Sequence, residues 1–251
     1  MAEFVMEIAG CAGKVFSLFE STRDYCRNYL SQKEPEFTVT VRREDLAFEQ
    51  RELDAEALQE GMKRRVFSDP FLERAAIQRG FAEYLISRKV LMMHGSTVAV
   101  DGKGYLFTAA CGTGKSTHTR LWREVFGNRA VMVNDDKPFV ALEAEQVLVC
   151  GAPWSGKHGL ENNISVPLWG ICILERGAEN RIRRISPQEA QEMLLHQSYC
   201  PEDPEKQLAF CRYVEELIRR VPLWKMECNK NPQAAELAWE AMHKTAMEMR
   251  L

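Results

Sequence analysis

Short apolar runs separated by polar turns organise the first third of the chain. Two apolar stretches within residues 3–18 flank Gly10-Cys11-Ala12-Gly13, and this arrangement predicts a β-hairpin. Farther along, apolar residues recur every three or four positions, as they do on the buried face of a helix. The other elements predicted here are a helix over residues 21–30, a strand over 37–41 and helices over 53–66 and 70–88. We therefore predict a small N-terminal α+β region covering residues 1–88.

Apolar strands dominate the rest of the chain. We predict strands over residues 92–100, 104–109, 130–133, 139–142, 147–150, 166–174, 181–185 and 223–226. Helical patterns begin at Lys115 and end before Gly127-Asn128, and they recur over residues 186–198, 206–220 and after Asn231-Pro232. Ser186 can cap the second of these helices, because Pro187 suits the first helical position and Glu189 can reach back. Strands interleaved with helices predict an α/β domain over residues 89–251.

Composition excludes some classes of function. The chain has 251 residues, a formal net charge of −3 and no long basic run, which argues against sequence-independent nucleic-acid binding. No apolar stretch approaches the length of a membrane span, and the N-terminus lacks a signal-peptide layout, so we expect a cytoplasmic protein without a membrane partner. The eight cysteines are scattered without Cys-x-x-Cys or zinc-site spacing, so we predict mostly buried, reduced thiols.

A glycine-rich turn stands between a predicted strand and a predicted helix. It reads Gly112-Thr113-Gly114-Lys115-Ser116-Thr117, which matches the second half of the phosphate-binding pattern Gly-x4-Gly-Lys-Ser/Thr. Ala109 stands where the pattern has its first glycine. Two glycines allow the backbone to curl so that N–H groups point inward, and the helix start adds partial positive charge. The order strand, glycine turn, helix therefore predicts a phosphate site.

Each residue of this turn has a predicted role. Lys115 would reach the terminal phosphates of a nucleotide, and the Ser116 hydroxyl would hold Mg²⁺. Cys111 lies beside the helix start, where a small side chain fits a tight turn and a thiol pKa could be lowered. The predicted cofactor-binding residues are Cys111, Gly112, Thr113, Gly114, Lys115, Ser116 and Thr117.

Two adjacent aspartates follow the next apolar strand. Asp135 and Asp136 come directly after residues 130–133, where a nucleotide-binding α/β sheet places its metal partner. Neighbouring side chains on an extended segment point apart, so one carboxylate could hold Mg²⁺ while the other accepts the proton of an attacking hydroxyl. We predict Ser116 and Asp136 as metal ligands, with the order of the two aspartates left open.

Two further candidates have weaker patterns. The polar loop over residues 151–163 contains Lys157 and His158, which could contact substrate or could belong to an exposed turn. His94 precedes a predicted strand, and a lone histidine in such a position can be structural or functional.

Three motifs in a fixed order resemble a known family. His94-Gly95-Ser96-Thr97-Val98-Ala99-Val100, then the glycine turn, then Asp135-Asp136, resemble the catalytic domain of the HPr kinase/phosphorylase group over about residues 90–185. That group is structurally related to ATP-dependent phosphoenolpyruvate carboxykinase. The resemblance implies a P-loop kinase domain with a mixed sheet flanked by helices, and an active-site role for His94 near the transferred phosphate. The catalytic residues that it implies are His94, Lys115, Asp135 and Asp136.

The sequence and the resemblance together predict a reaction. We expect a Mg²⁺-dependent enzyme that transfers the γ-phosphate of ATP to a hydroxyl group of a peptide, protein or small molecule. The family's second loop, which helps to bind HPr, is missing, so an acceptor other than HPr fits better. Three alternatives remain open: a sensor that binds ATP without phosphate transfer, a carboxykinase-like lyase, and a structural or assembly protein with a relic site. The N-terminal region is interpreted as a packing or homo-oligomerisation unit, or else as the part that recognises the acceptor.

Overall fold

The structure, a computed structural model, describes residues 1–59, 61–156 and 158–248. Within this part, the chain divides into two units. The first unit spans Met1–Leu85, and the second begins at Ile86. No helix formed by these described residues has the length and apolar character needed to cross a membrane.

The first unit is a three-stranded sheet with three helices. Its strands are β1 (Ala2–Ile8), β2 (Cys11–Ser17) and β3 (Phe37–Thr40), and its helices are α1 (Glu20–Tyr25), α2 (Arg43–Gln59) and α3 (Asp69–Leu85). Strand β2 lies in the centre, antiparallel to β1 and parallel to β3. The buried side chains of Met6, Ile8, Ile77 and Phe81 form much of its core. The predicted hairpin is confirmed, as are the predicted strand β3 and helix α3.

The helix predicted over residues 53–66 was placed wrongly. Helix α2 begins ten residues earlier, at Arg43, and ends at Gln59, while residues 61–66 are not helical. The Gln50 side chain explains the different path, because its amide donates to the Arg65 carbonyl and accepts from the Phe67 N–H. These bonds give the backbone after α2 a partner that replaces helical hydrogen bonds.

The second unit is built on a mixed sheet of nine strands within the described residues. The strands are β4 (Val90–Met92), β5 (Ser96–Val100), β6 (Lys103–Thr108), β7 (Ala130–Asn134), β8 (Phe139–Leu142), β9 (Val147–Cys150), β10 (Ser165–Arg176), β11 (Arg181–Arg184) and β12 (Leu223–Cys228). Their order is β4-β8-β9-β10-β6-β5-β7, and β12 joins β10 to β11. The predicted mixed α/β architecture is thus present.

Helices cover both faces of this sheet. They are α4 (Lys115–Phe126), α5 (Pro187–His196), α6 (Pro204–Arg220) and α7 (Gln233–Glu248). One apolar cluster joins the sheet to α5 and α6 through buried residues such as Leu194 and Val214. A second cluster joins it to α4 and α7 through Trp122 and Ala238. The sheet is therefore the middle layer of this unit.

The strand predicted over residues 92–100 is two strands. Strand β4 ends at Met92 and pairs with β8, whereas β5 begins at Ser96 and pairs with β6 and β7. The three residues between them hydrogen-bond to other segments: the Met93 N–H to Pro138, the His94 N–H to Gln197 and the Gly95 N–H to Asp136. Because the flanking runs are apolar on both faces, periodicity gave no sign of this break.

The predicted start of α5 is confirmed in detail. The Ser186 hydroxyl accepts from the Glu189 N–H, and the Glu189 carboxylate accepts from the Ser186 N–H, so both halves of a capping box are present.

Replacing the capping hydroxyl should weaken this unit. In Ser186→Ala the Glu189 N–H loses its acceptor, so we expect the free energy of unfolding to fall by about 1 kcal/mol. Urea denaturation followed by circular dichroism would measure it. Ser186→Asp keeps an acceptor and should stay close to the unsubstituted protein; equal losses in both variants would show that the cap contributes nothing.

Candidate active site

The predicted phosphate loop lies between β6 and α4, and we call residues 109–114 the glycine loop. Gly112 and Gly114 have φ angles of +71° and +121°, which favour glycine over every other residue. Gly114 is the N-cap of α4, and its carbonyl accepts from the His118 N–H. The chain therefore enters α4 through a turn whose curvature depends on these two glycines.

Two cations hold the glycine loop. Arg176, at the end of β10, donates from Nη2 to the Gly112 carbonyl at 2.5 Å. Lys115 donates from Nζ to the Ala109 carbonyl at 3.1 Å, across the base of the loop. Lys115 is half-buried and Ser116 is exposed, so the first turn of α4 presents an ammonium group and a hydroxyl beside the curled backbone. Partial positive charge at a helix start adds to that ammonium group.

Asp135 is buried and fixed by a hydroxyl relay. Its Oδ1 accepts from the Ser96 hydroxyl at 2.6 Å, and Ser96 lies 2.7 Å from the Thr119 hydroxyl of α4. Ser96 begins β5, so one serine connects the end of β7 to α4. Gly95, which precedes Ser96, packs closely against β6, because a Cβ there would lie 3.0 Å from the Phe107 carbonyl oxygen.

Asp136 faces a different neighbour. Its Oδ1 lies 3.5 Å from His94 Nε2. Burial lowers the pKa of His94 to about 3, and the charges of Lys137 and Lys115 act in the same direction. The imidazole is therefore uncharged at neutral pH, and its contact with Asp136 is that of a neutral ring and a carboxylate.

Asn134 shapes the turn that carries both aspartates. This residue is fully buried, and its Oδ1 accepts from the N–H groups of Asp136 and Lys137 at 2.8 and 2.7 Å. Its amide donates to the carbonyls of Ala152 and Trp154. The side chain thus ties the aspartate turn to the start of the polar loop over residues 151–163.

That polar loop lies against Asp135. A Cβ on Gly156 would be 3.2 Å from Asp135 Oδ2, so the loop backbone passes directly beside the carboxylate. Gly151 has no room for a side chain either, since a Cβ would lie 1.9 Å from the Asn162 carbonyl oxygen. His158 is exposed and lines the cavity described next. Lys157, the other predicted substrate residue, lies outside the described residues.

A cavity of about 380 Å³ joins several of these groups. Its walls come from α4, from the end of β7 and from the polar loop. The lining residues are Ser116, Thr117, Thr119, Arg120, Arg123, Met132, Asp135, His158 and Leu160. Ser116 and Asp135, predicted from separate motifs, therefore open onto one space.

The chemistry of the site fits a metal bound together with a ligand. Within residues 1–59, 61–156 and 158–248, no group of three or more His, Cys, Asp and Glu side chains could hold an ion alone. Mg²⁺ is commonly held by one or two carboxylates with substrate phosphates and water, so a hydroxyl and a carboxylate near the glycine loop are a suitable donor set.

Several residues of the site were not predicted from sequence. Ser96, Thr119, Asn134 and Arg176 contact the predicted residues, yet each is a common residue type within an ordinary strand or helix pattern. Ser96 lies inside the motif of residues 94–100 and Asn134 directly precedes Asp135, and these positions were the available signal.

Comparison with known proteins finds a distant structural likeness. No model of a known protein family matches the chain, and no curated protein matches it. Among solved structures, the Hpr(Ser) kinase/phosphatase from Coxiella burnetii has a TM-score of 0.38 and 14% sequence identity, covering 62% of this chain and 98% of that one.

The neutral state of His94 predicts an acid-sensitive fold. A histidine whose pKa falls from 6.5 to about 3 on folding takes up its proton only in the unfolded chain between those values. The free energy of unfolding should therefore fall as pH drops below 6.5, by up to about 1.4 kcal/mol per pH unit from this residue. His94→Gln should flatten that slope in urea titrations between about pH 7 and pH 4.5. Parallel slopes in both proteins would contradict a buried neutral imidazole.

Proposed function

We propose that this protein is a Mg²⁺-dependent kinase that transfers the γ-phosphate of ATP to a hydroxyl group. One observation carries the proposal: Ser116, at the start of the helix after the glycine loop, and Asp135, after β7, line the same cavity. A hydroxyl that follows a glycine turn and a carboxylate that shares its space are suited to hold Mg²⁺ and to activate an acceptor.

The glycine loop would bind the phosphates. Backbone N–H groups around Gly112 and Gly114 and the start of α4 provide partial positive charge. Lys115 would exchange its bond to the Ala109 carbonyl for a phosphate oxygen, which it can do by rotating a flexible side chain. Cys111, Thr113 and Thr117 would border the same phosphates.

Magnesium would be held by Ser116 and by one aspartate, with phosphate oxygens completing its coordination. Asp136 is the candidate for this role when Asp135 acts as the base, because Asp136 is the more exposed of the two and lies beside His94. When bound, the ion would neutralise charge on the β- and γ-phosphates. The neutral ring of His94 would orient the Asp136 carboxylate without adding a charge.

Asp135 would serve as the general base. It faces the cavity, and its Oδ1 is already occupied by the Ser96 hydroxyl, so the carboxylate is held in one orientation. The acceptor oxygen would attack the γ-phosphorus, and the bond from that phosphorus to the bridging oxygen of ADP would break. The acceptor proton would pass to Asp135, and ADP would leave with the electrons of the broken bond.

Substitution of Lys115 tests phosphate binding and transfer together. In Lys115→Ala, MgATP affinity measured by titration calorimetry and transfer of label from γ-labelled ATP in cell extract should both fall, transfer by about a hundredfold or more. Lys206, in the first turn of α6, offers a matched control: Lys206→Ala should leave both unchanged. Unaltered MgATP affinity in Lys115→Ala would reject the assignment.

Substitution of Asp135 separates a kinase from a nucleotide-binding sensor. Asp135→Asn keeps an acceptor for Ser96 but cannot take a proton, so MgATP should still bind while transfer falls by about a hundredfold or more. Transfer at the level of the unsubstituted protein would exclude Asp135 as the base. MgATP binding with no labelled product in either protein would favour the sensor.

A further inference from the structure

The cavity extends beyond the positions expected for phosphates and metal. Ser116, Arg120 and Arg123 line it from one face of α4, since residues three, four and seven apart share a helix face. Arg123 is seven residues from Ser116, which is about 10 Å along the helix axis. Because helical side chains lean toward the N-terminus, the Arg123 side chain covers the turn that contains Thr119, whose hydroxyl meets the Ser96 hydroxyl that donates to Asp135. The far part of the cavity is therefore near the proposed base and away from the glycine loop.

Arg123 has an unmet hydrogen-bonding group in this part. Its Nε is buried and has no hydrogen-bond partner among the described residues. An unsatisfied N–H of a charged group costs several times the net gain of an ordinary hydrogen bond, so a ligand that accepts from Arg123 Nε would be stabilised. The other arginine of the wall, Arg120, forms an ion pair with Glu124.

One positive charge of the cavity wall is available to an anion. Asp135 is the acidic side chain among the lining residues, and of the two arginines Arg120 is paired with Glu124 while Arg123 is not. No ion pair within the described parts of the chain includes Arg123, so its charge is available to a ligand. A guanidinium group presents forked donors that match carboxylate or phosphate oxygens.

We propose that this part of the cavity binds the phosphate acceptor, and that the acceptor is a small hydroxylated molecule whose carboxylate or phosphate group is held by Arg123. This inference rests on the kinase function proposed above. The acceptor hydroxyl would lie beside Asp135 and lose its proton there, while the anionic group stays unchanged through the reaction.

Size and electrostatics support such an acceptor. A volume of about 380 Å³ lies at the lower end of the range typical of small-molecule sites, and the end next to Ser116 is needed for phosphate and metal. An anionic acceptor is repelled by the triphosphate that it must attack, and a guanidinium group beyond the base offsets this repulsion. Met132 and Leu160 give the same space an apolar side that suits a short carbon chain.

The Nε–H signal of Arg123 offers a direct test. In ¹⁵N-correlated NMR spectra of the full chain, assigned with Arg123→Gln, this signal would be followed during titration with D-glycerate, sn-glycerol 3-phosphate and glycerol, with and without MgADP. We expect a saturable shift with at least one of the two anions and none with glycerol. The responding anion identifies the carboxylate or the phosphate as the group recognised.

Matched variants make the result quantitative. By calorimetry, affinity for the responding anion should fall about tenfold or more in Arg123→Gln, because a charge-assisted hydrogen bond is lost. Arg219→Gln removes an exposed arginine that pairs with Glu215 at the same helical spacing as Arg120 and Glu124, and it should bind as the unsubstituted protein does. If Arg123→Gln folds poorly, Arg123→Lys assigns the signal instead, and the titration itself is followed on the unsubstituted chain.

Two outcomes would overturn the inference: an Arg123 signal that is unmoved by both anions, or one that responds to glycerol as strongly as to them. Calorimetry with MgATP separates this failure from that of the kinase function. MgATP binding with an unresponsive Arg123 would reject the acceptor class alone, whereas an anion response without MgATP binding would reject the kinase function alone.

Discussion

The pairing of β5 with both β6 and β7 is the constraint on which the rest of the site depends. Because β5 is antiparallel to each of them, β6 and β7 run in the same direction and end at the same edge of the sheet. The glycine loop follows β6 at that edge, and the aspartates follow β7 there. The start of β5 lies at the same edge, so His94 and Ser96 come between the two. The directions of the three strands therefore bring the start of β5, the glycine loop and the two aspartates to the same edge, independently of their side-chain contacts.

Buried polar contacts then give the two aspartates different environments. Asp135 is buried and held by Ser96, which also meets Thr119 on α4, whereas Asp136 is more exposed and meets a neutral histidine. Asn134 fixes the bend that carries them, because its Oδ1 accepts from the N–H groups of Asp136 and Lys137. Chemically identical groups in unlike surroundings are what a division between a base and a metal ligand needs. These surroundings support the proposed assignment of Asp135 as base and Asp136 as metal ligand. The sequence alone gives no such support, because two adjacent aspartates could take the two roles in either order.

The sequence was most informative where local chemistry decides the structure. The hairpin of β1 and β2, the capping box of α5 and the strand–turn–helix around Gly112 and Gly114 depend on neighbours within a few residues, and all were predicted. Predictions were wrong where distant contacts decide: α2 was misplaced because Gln50 binds residues 65–67, and the break between β4 and β5 arises from partners as far away as Gln197. No sequence pattern indicated a role for Arg123, since an arginine on a helix is normally solvated. Its unmet Nε becomes visible only once the cavity is formed.

The departure of the glycine loop from the full phosphate-binding pattern has a structural reason. Ala109 occupies the position of the first glycine, and its side chain is fully buried in the cluster that joins the sheet to α4 and α7. Among the described residues, the non-glycine residues with positive φ are Ala9, Lys89 and Asp101, so Ala109 needs no conformation that glycine favours. The sharp curvature is confined to Gly112 and Gly114, and the Ala109 carbonyl accepts from Lys115. A methyl group there adds apolar contact at the end of β6 and leaves the curled backbone unchanged, so the missing glycine does not weigh against phosphate binding.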